Sequence, residues 1–277
     1  MEELEYKYEN LKSIIRKLGT LMVAFSGGID SALLLKVAND SLQDRVLAVT
    51  ADSPSIPRRE LEQAKRFVKK IGARHLIIQT YETKDRNYMT NPFNRCYFCK
   101  SELYSKLLDV AMSKKIQFIA NGTNLDDLQD YRPGLQAAQE YRIVSPLKDA
   151  SLNKRDIRAL AKRLNLEIWD KPASPCLSSR VPYGQKITLR KLDMIEKAEN
   201  YLKDLGMKEL RVRHFGSKAG IEVNKGSLET IQKHFPSIYN KFTEIGFEEI
   251  EIRELRSGSL NVFLSLNSRF KQKDFRV

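Results

Sequence analysis

An almost wholly apolar run, Leu21 to Phe25, leads directly into Ser26-Gly27-Gly28-Ile29-Asp30-Ser31, and a helix-patterned stretch through Leu33, Leu34, Leu35 and Val37 follows. A short apolar run of this kind is expected of a strand buried on both faces of a parallel sheet. Glycines at its exit let the backbone approach an anion with no Cβ in the way. The helix that opens there offers unpaired N–H groups and the positive end of its dipole. The hydroxyls of Ser26 and Ser31 can add hydrogen bonds to phosphate oxygens. Asp30 makes sense beside phosphate once a divalent ion is included, as a Mg²⁺ contact made directly or through water. The loop lacks the Lys-Ser/Thr ending of a Walker A sequence.

The surrounding pattern alternates. Leu4 to Leu18 predicts an amphipathic helix, Arg45 to Thr50 a strand, Pro57 to about Ile71 a helix and His75 to Gln79 a strand. A helix from about Cys99 to Ser113, a strand from Ile116 to Ala120 and a helix from Asn153 to Leu164 complete the series. Such alternation predicts an α/β fold with a doubly wound parallel sheet. Nucleotides bind at the carboxyl ends of the strands in open sheets of this kind, which brings Thr50, Ala51 and Asp52 near an adenine. The pattern breaks in the proline- and serine-rich stretch from Trp169 to Tyr183. We therefore expect a nucleotide-binding domain over 1–172 and a smaller α+β domain over 173–277.

The chain has 277 residues, enough for two domains, and a formal net charge of +13. That excess is not confined to one arm. It fits a solvated surface as well as a polyanionic partner, so charge alone does not choose between them. The charged start, MEELEYKYENLK, reads as a helix and not as a signal peptide, and no apolar run reaches the length of a membrane span. The expectation is a cytoplasmic protein without a membrane partner.

There are three cysteines, Cys96, Cys99 and Cys176. An odd number argues against a disulfide framework. Cys96 and Cys99 form a C-x-x-C pair, a metal or redox spacing, in a segment read as lying between a strand and a helix. Structural zinc wants four ligands, and none of the three histidines stands in a ligand-like spacing. A [4Fe–4S] cluster on three thiolates would leave one iron open to an added ligand. Zinc with a histidine or water, and three unrelated cysteines, are the competing readings.

The loop Ser26 to Ser31 resembles the PP-loop of the ATP pyrophosphatases, which cleave ATP between the α and β phosphates. Further segments make the likeness narrower. They are Arg95-Cys96-Tyr97-Phe98-Cys99-Lys100, Asn121-Gly122-Thr123-Asn124 with Asp126-Asp127, Asp130-Tyr131-Arg132-Pro133-Gly134 and Pro175-Cys176-Leu177-Ser178-Ser179-Arg180. Arg211-Val212-Arg213 and Arg256-Ser257-Gly258 extend it into the second domain. Together these resemble the LarE-type sulfur transferases over nearly the whole chain.

The resemblance implies an enzyme that adenylates the two carboxylates of pyridinium-3,5-biscarboxylic acid mononucleotide with ATP and Mg²⁺, then converts them to thiocarboxylates for the nickel-pincer cofactor. It implies catalytic roles for Cys176, Asp30 and Arg180. Nucleotide and substrate contacts are implied for Ser26, Gly27, Gly28, Asp30, Ser31, Ala51, Gly122, Asp127, Arg211, Arg213 and Arg256. One branch of the family has a single cysteine at the position of Cys176 and gives up its sulfur. This chain looks like the other branch, in which Cys96, Cys99 and Cys176 hold a [4Fe–4S] cluster. A sulfide donor and a homo-oligomeric state are further implications, and a nucleic-acid partner is not expected. The guanidinium groups suit phosphate and carboxylate, though each arginine also has a plain surface reading. Asp126 and Asp127 are either helix-start residues or nucleotide or metal contacts. A tRNA-thiolating enzyme, an amide-forming synthetase and a non-enzymatic nucleotide-binding module are the competing functions.

Overall fold

The computed structural model describes residues 2–129 and 132–255. The chain divides into two compact units, Met1–Pro175 and Cys176–Val277. Two sequence features, the segment at Asp130 and Tyr131 and the Arg256-Ser257-Gly258 run, lie outside the described residues.

The first unit opens with α1 (Glu2–Leu18), β1 (Leu21–Ala24), α2 (Ile29–Leu42), β2 (Val46–Asp52), α3 (Arg58–Lys70) and β3 (Arg74–Gln79). It continues with the short α4 (Arg86–Met89), α5 (Arg95–Ser113), β4 (Phe118–Ala120), α6 (Pro133–Glu140), α7 (Pro146–Asp149) and α8 (Lys154–Arg163). The four strands are parallel in the order β3-β2-β1-β4.

Period-2 alternation sorts the strand side chains onto two faces. Leu21 and Val23 of β1, Val46 and Ala48 of β2 and Ala120 of β4 enter one core, with residues of α1, α2, α3 and α8. Met22, Leu47, Val49 and Ile119 enter another, with Tyr104 and Leu107 of α5 and Ala137 of α6. Both faces are thus covered by helices, as expected for a doubly wound α/β sheet. This explains why β1 reads as an unbroken apolar run instead of alternating with polar residues.

Strand order reverses at β1, which has β2 on one side and β4 on the other. The loops leaving β1 and β4 therefore lie next to each other at the carboxyl edge, the topological switch point where open α/β sheets bind ligands.

The helix carrying the cysteine pair begins at Arg95, earlier than its apolar pattern suggests. Asn94 gives no side-chain cap. The carbonyls of Pro92 and Asn94 instead accept from the N–H groups of Arg95 and Tyr97. Cys96 and Cys99 accordingly lie within a helix, one turn apart on one face, and not in a preceding loop.

The second unit contains α9 (Leu189–Asp204), β5 (Leu210–Phe215), β6 (Lys218–Val223), α10 (Leu228–Ile245) and β7 (Glu249–Glu254). Its sheet runs β5-β6-β7, antiparallel then parallel. Ala198 and Leu202 of α9 pack with Val212, Ile221, Ile238 and Phe242 in its core.

Candidate active site

The loop after β1 is closed by its own serines. The Ser26 and Ser31 hydroxyls lie 3.1 Å apart. Ser31 Oγ donates to the Gly28 carbonyl at 3.0 Å and accepts from the Ser26 N–H at 3.3 Å. Gly28 caps α2 with no side-chain bond, which leaves the helix N-terminus facing the loop. Gly27 has φ +75°, and a Cβ there would meet Ala64 Cβ of α3 at 3.2 Å. The position is closed to larger residues by backbone conformation as well as by space. Lys171 Nζ donates to the Gly27 carbonyl at 3.1 Å and pairs with Glu60 of α3 at 2.7 Å.

The loop after β4 lies against this one. A Cβ on Gly122 would stand 2.8 Å from Ser31 N and 3.1 Å from Asp30 C, so only glycine admits the approach. Asn121 and Asn124 fold the rest of that loop, their side-chain oxygens accepting from Thr123 N and Asp126 N. Asn124 Nδ2 reaches Asp30 at 3.4 Å. Asp127 accepts from Asn124 N at 3.1 Å and pairs with Arg132 at 3.0 Å. Burial pushes the Asp127 carboxyl up from its ordinary value and Asp30 adds to this, against the pull of Asn124 N–H and Arg132. Asp126 has a scaffold role: it accepts from the backbone N–H of Lys154 at 2.8 Å and so ties the loop to the start of α8.

Asp30 stands in the first turn of α2, and both its oxygens bond to Lys154 Nζ, at 2.6 and 2.5 Å. Ala51 lies half-buried near the carboxyl end of β2. Beyond it Asp52 receives Arg58 and Gln79, and the buried Glu82 receives the hydroxyls of Ser53 and Ser55. The carboxyl edge of the sheet thus presents two backbone loops, a helix N-terminus and the carboxylates of Asp30 and Asp127. That donor set suits a phosphate chain accompanied by a hard, oxygen-seeking cation.

Within the second unit, Arg180 Nε holds Glu199 at 2.8 Å, with both side chains buried. Glu199 also accepts from Val212 N at 3.1 Å. Arg213 donates to Glu222 at 3.0 Å and to the Ser179 carbonyl at 2.6 Å. Arg211 is opposite Glu222 in the β5–β6 register and is half-buried. Burial pushes its guanidinium down from the ordinary value, and Arg213 and Arg180 push it further. Arg180 and Arg213 are thus committed to glutamates, whereas no described carboxylate bonds to Arg211. Cys176 is the N-cap of the short 3₁₀ turn Leu177–Arg180 and is partly exposed. Cys96 is exposed and Cys99 partly so.

The family model QueC, described as Queuosine biosynthesis protein QueC, matches residues 20–90, which include the loop and the first three strands. An uncharacterized protein of Synechocystis sp. is 41% identical over 95% of this chain and 99% of its own. A Lactiplantibacillus plantarum protein named pyridinium-3,5-bisthiocarboxylic acid mononucleotide synthase is 34% identical over 94% of this chain and 96% of its own. The chain belongs to the LarE-type sulfur transferases. An uncharacterized protein of Methanocaldococcus jannaschii is also similar, 32% identical over 89% of this chain and 91% of its own.

As a LarE-type sulfur transferase the chain is an ATP-dependent enzyme of the PP-loop kind, acting on a nucleotide. The two loops at the switch point carry the donor set that suits a phosphate chain. Two side chains on or behind them were not singled out from the sequence, Lys154 and Lys171. Lys154 is 124 residues from Asp30 and reads as a solvated charge. One signal was available, since Asn153 and Asp156 form a capping box that places Lys154 at the first position of α8. The helix dipole disfavours a cation there.

Proposed function

We propose that this LarE-type enzyme adenylates the carboxylates of pyridinium-3,5-biscarboxylic acid mononucleotide and replaces the adenylate with sulfur. In this reading Cys96, Cys99 and Cys176 hold a [4Fe–4S] cluster. The reading is carried by similarity to the L. plantarum synthase across nearly the full length of both chains, together with Cys96 and Cys99 one helical turn apart.

A carboxylate is a poor electrophile at neutral pH. Attack of a substrate carboxylate oxygen on the α-phosphorus of ATP forms a mixed anhydride and expels pyrophosphate. The N–H groups of the loop and of the first turn of α2 stabilise the phosphate charge. Asp30 is the residue to hold Mg²⁺, with Asp127 close behind it, and Mg²⁺ supplies charge neutralisation at the phosphates. Sulfide attack at the acyl carbon then releases AMP and leaves a thiocarboxylate. Arg211, whose guanidinium forms no ion pair with a described carboxylate, takes an anionic group of the substrate.

Thiolates are the donors an iron–sulfur cluster takes, although among the described residues no group of three or more metal-ligating side chains is gathered as a site. Three thiols reach solvent to differing degrees, and two share a helix face. When bound, a cluster with three protein ligands supplies one open iron for sulfide. Cys96 and Cys99 belong to the first unit and Cys176 to the second.

Mass spectrometry after turnover tests this reading. Anaerobically purified protein is given ATP, Mg²⁺, substrate and sulfide. The expected result is an unchanged mass at Cys176, more than one product per chain and bound iron. Dehydroalanine at Cys176 in iron-loaded, active protein overturns the cluster reading. Absence of pyrophosphate release with the dicarboxylate overturns the adenylation reading.

A further inference from the structure

The ammonium of Lys154 lies between the oxygens of Asp30, at 2.6 and 2.5 Å. Nothing in the fold of α8 calls for it there. The helix start is fixed by Asn153 and Asp156, which satisfy each other's backbone N–H groups. The Lys154 N–H is taken by Asp126. A cation at the first residue of a helix opposes the dipole. Asp30 sits at the start of another helix, α2, whose N-terminus suits a carboxylate without help. The pair is also open to solvent, with side-chain exposures of 38% for Lys154 and 24% for Asp30. Ion pairs this exposed add little to stability. An interaction of small structural benefit, made by a lysine where the helix disfavours one, brings together the acid and a base of the phosphate edge.

We propose that Lys154 is the resident counterion of Asp30 and is exchanged when a metal–nucleotide complex arrives. The divalent cation takes the carboxylate, and the ammonium moves onto the phosphate oxygens. The inference rests on reading this edge as the ATP site and adds two consequences. Without nucleotide, Lys154 competes with free divalent ions for Asp30, so the metal enters with its nucleotide and not before it. With nucleotide, Lys154 becomes an extra positive charge on the phosphate chain, where pyrophosphate charge develops.

The two roles predict opposite changes when the charge is removed. Mn²⁺ is the probe, its free concentration read by electron paramagnetic resonance, on the full chain. Lys154→Gln is expected to raise the affinity of the nucleotide-free protein for Mn²⁺ about tenfold, and to weaken binding of Mn²⁺ with α,β-methylene-ATP about tenfold, the change expected for one charge-assisted hydrogen bond. Lys154→Arg is expected to restore both values towards wild type. Should Lys154→Gln misfold, Lys154→Met removes the same charge. Unchanged Mn²⁺ affinity without nucleotide, or unchanged nucleotide affinity, overturns the proposal, because a scaffold lysine would move neither in this crossed way. Wild-type protein that binds no α,β-methylene-ATP at all fails the ATP-site reading itself, a separate result.

Discussion

The backbone of Gly122 lies so close to Ser31 that a single added carbon would stand 2.8 Å from the Ser31 nitrogen. The loop after β4 is therefore a wall of the phosphate loop, and its position fixes the first turn of α2. Gly122→Ala is expected to destabilise the first unit by about 1–3 kcal/mol through overpacking. It should also lower pyrophosphate release about a hundredfold, since small displacements at a reacting centre are costly. Wild-type release with lowered stability would show that the approach serves packing alone.

Glu199 and Arg180 form a buried pair in the second unit. Glu199→Gln leaves the guanidinium buried without its countercharge, at an expected cost of about 3–5 kcal/mol. Replacing both residues together, Arg180→Met with Glu199→Leu, should recover most of that loss. Urea denaturation distinguishes the cases, and a cost well under about 1 kcal/mol for the single change would contradict the pairing.

Arg211→Gln is expected to weaken binding of the dicarboxylate mononucleotide at least about tenfold while leaving ATP binding in place, as removing one charged hydrogen-bond donor implies. Isothermal titration with each ligand reads both. Equal losses for the two ligands would remove Arg211 from the substrate site.

His75 bonds through its ring to Thr50 at 2.9 Å, and burial, with Lys65 adding to it, pushes the imidazole below its ordinary value of 6.5. His214 is lowered in the same direction by burial, Lys191 and Arg190. A depressed pKa means that the unfolded chain binds the proton more readily. The stabilisation is present above the unfolded value and is lost as pH falls through the folded one. Thermal melts should therefore show the midpoint dropping between about pH 7 and about pH 5. His75→Gln should make that drop shallower, and an identical slope would count against it.

The phosphate loop was legible because its chemistry is local. Ser26, Gly27, Gly28 and Ser31 are neighbours in sequence, and the hydrogen bonds that close the loop run among them. The sheet was legible for a related reason, since strands buried on both faces leave apolar runs. The second unit's polar core was not. Arg180 and Arg213 read as open anion binders because their partners, Glu199 and Glu222, are supplied by other elements. Glu199 left a trace all the same. It is four residues after Ile195 and three before Leu202, on the apolar face of α9, where a carboxylate requires a buried cation. Lys154 was hidden by distance along the chain, and only the capping residues around it showed that its position was unfavourable for a cation. The start of α5 was misplaced because backbone carbonyls, not a recognisable cap, begin that helix.

The alternation of β1 between two cores sets where this protein can change length. Leu21 and Val23 serve one compartment and Met22 the other, in a strand of only four residues. Deleting or inserting one residue in β1 would send each side chain into the opposite compartment and shift the phosphate loop with it. Insertions and deletions among relatives are therefore expected in the surface connections, such as the turn before β3, with the spacing from Leu21 to Ser31 held constant.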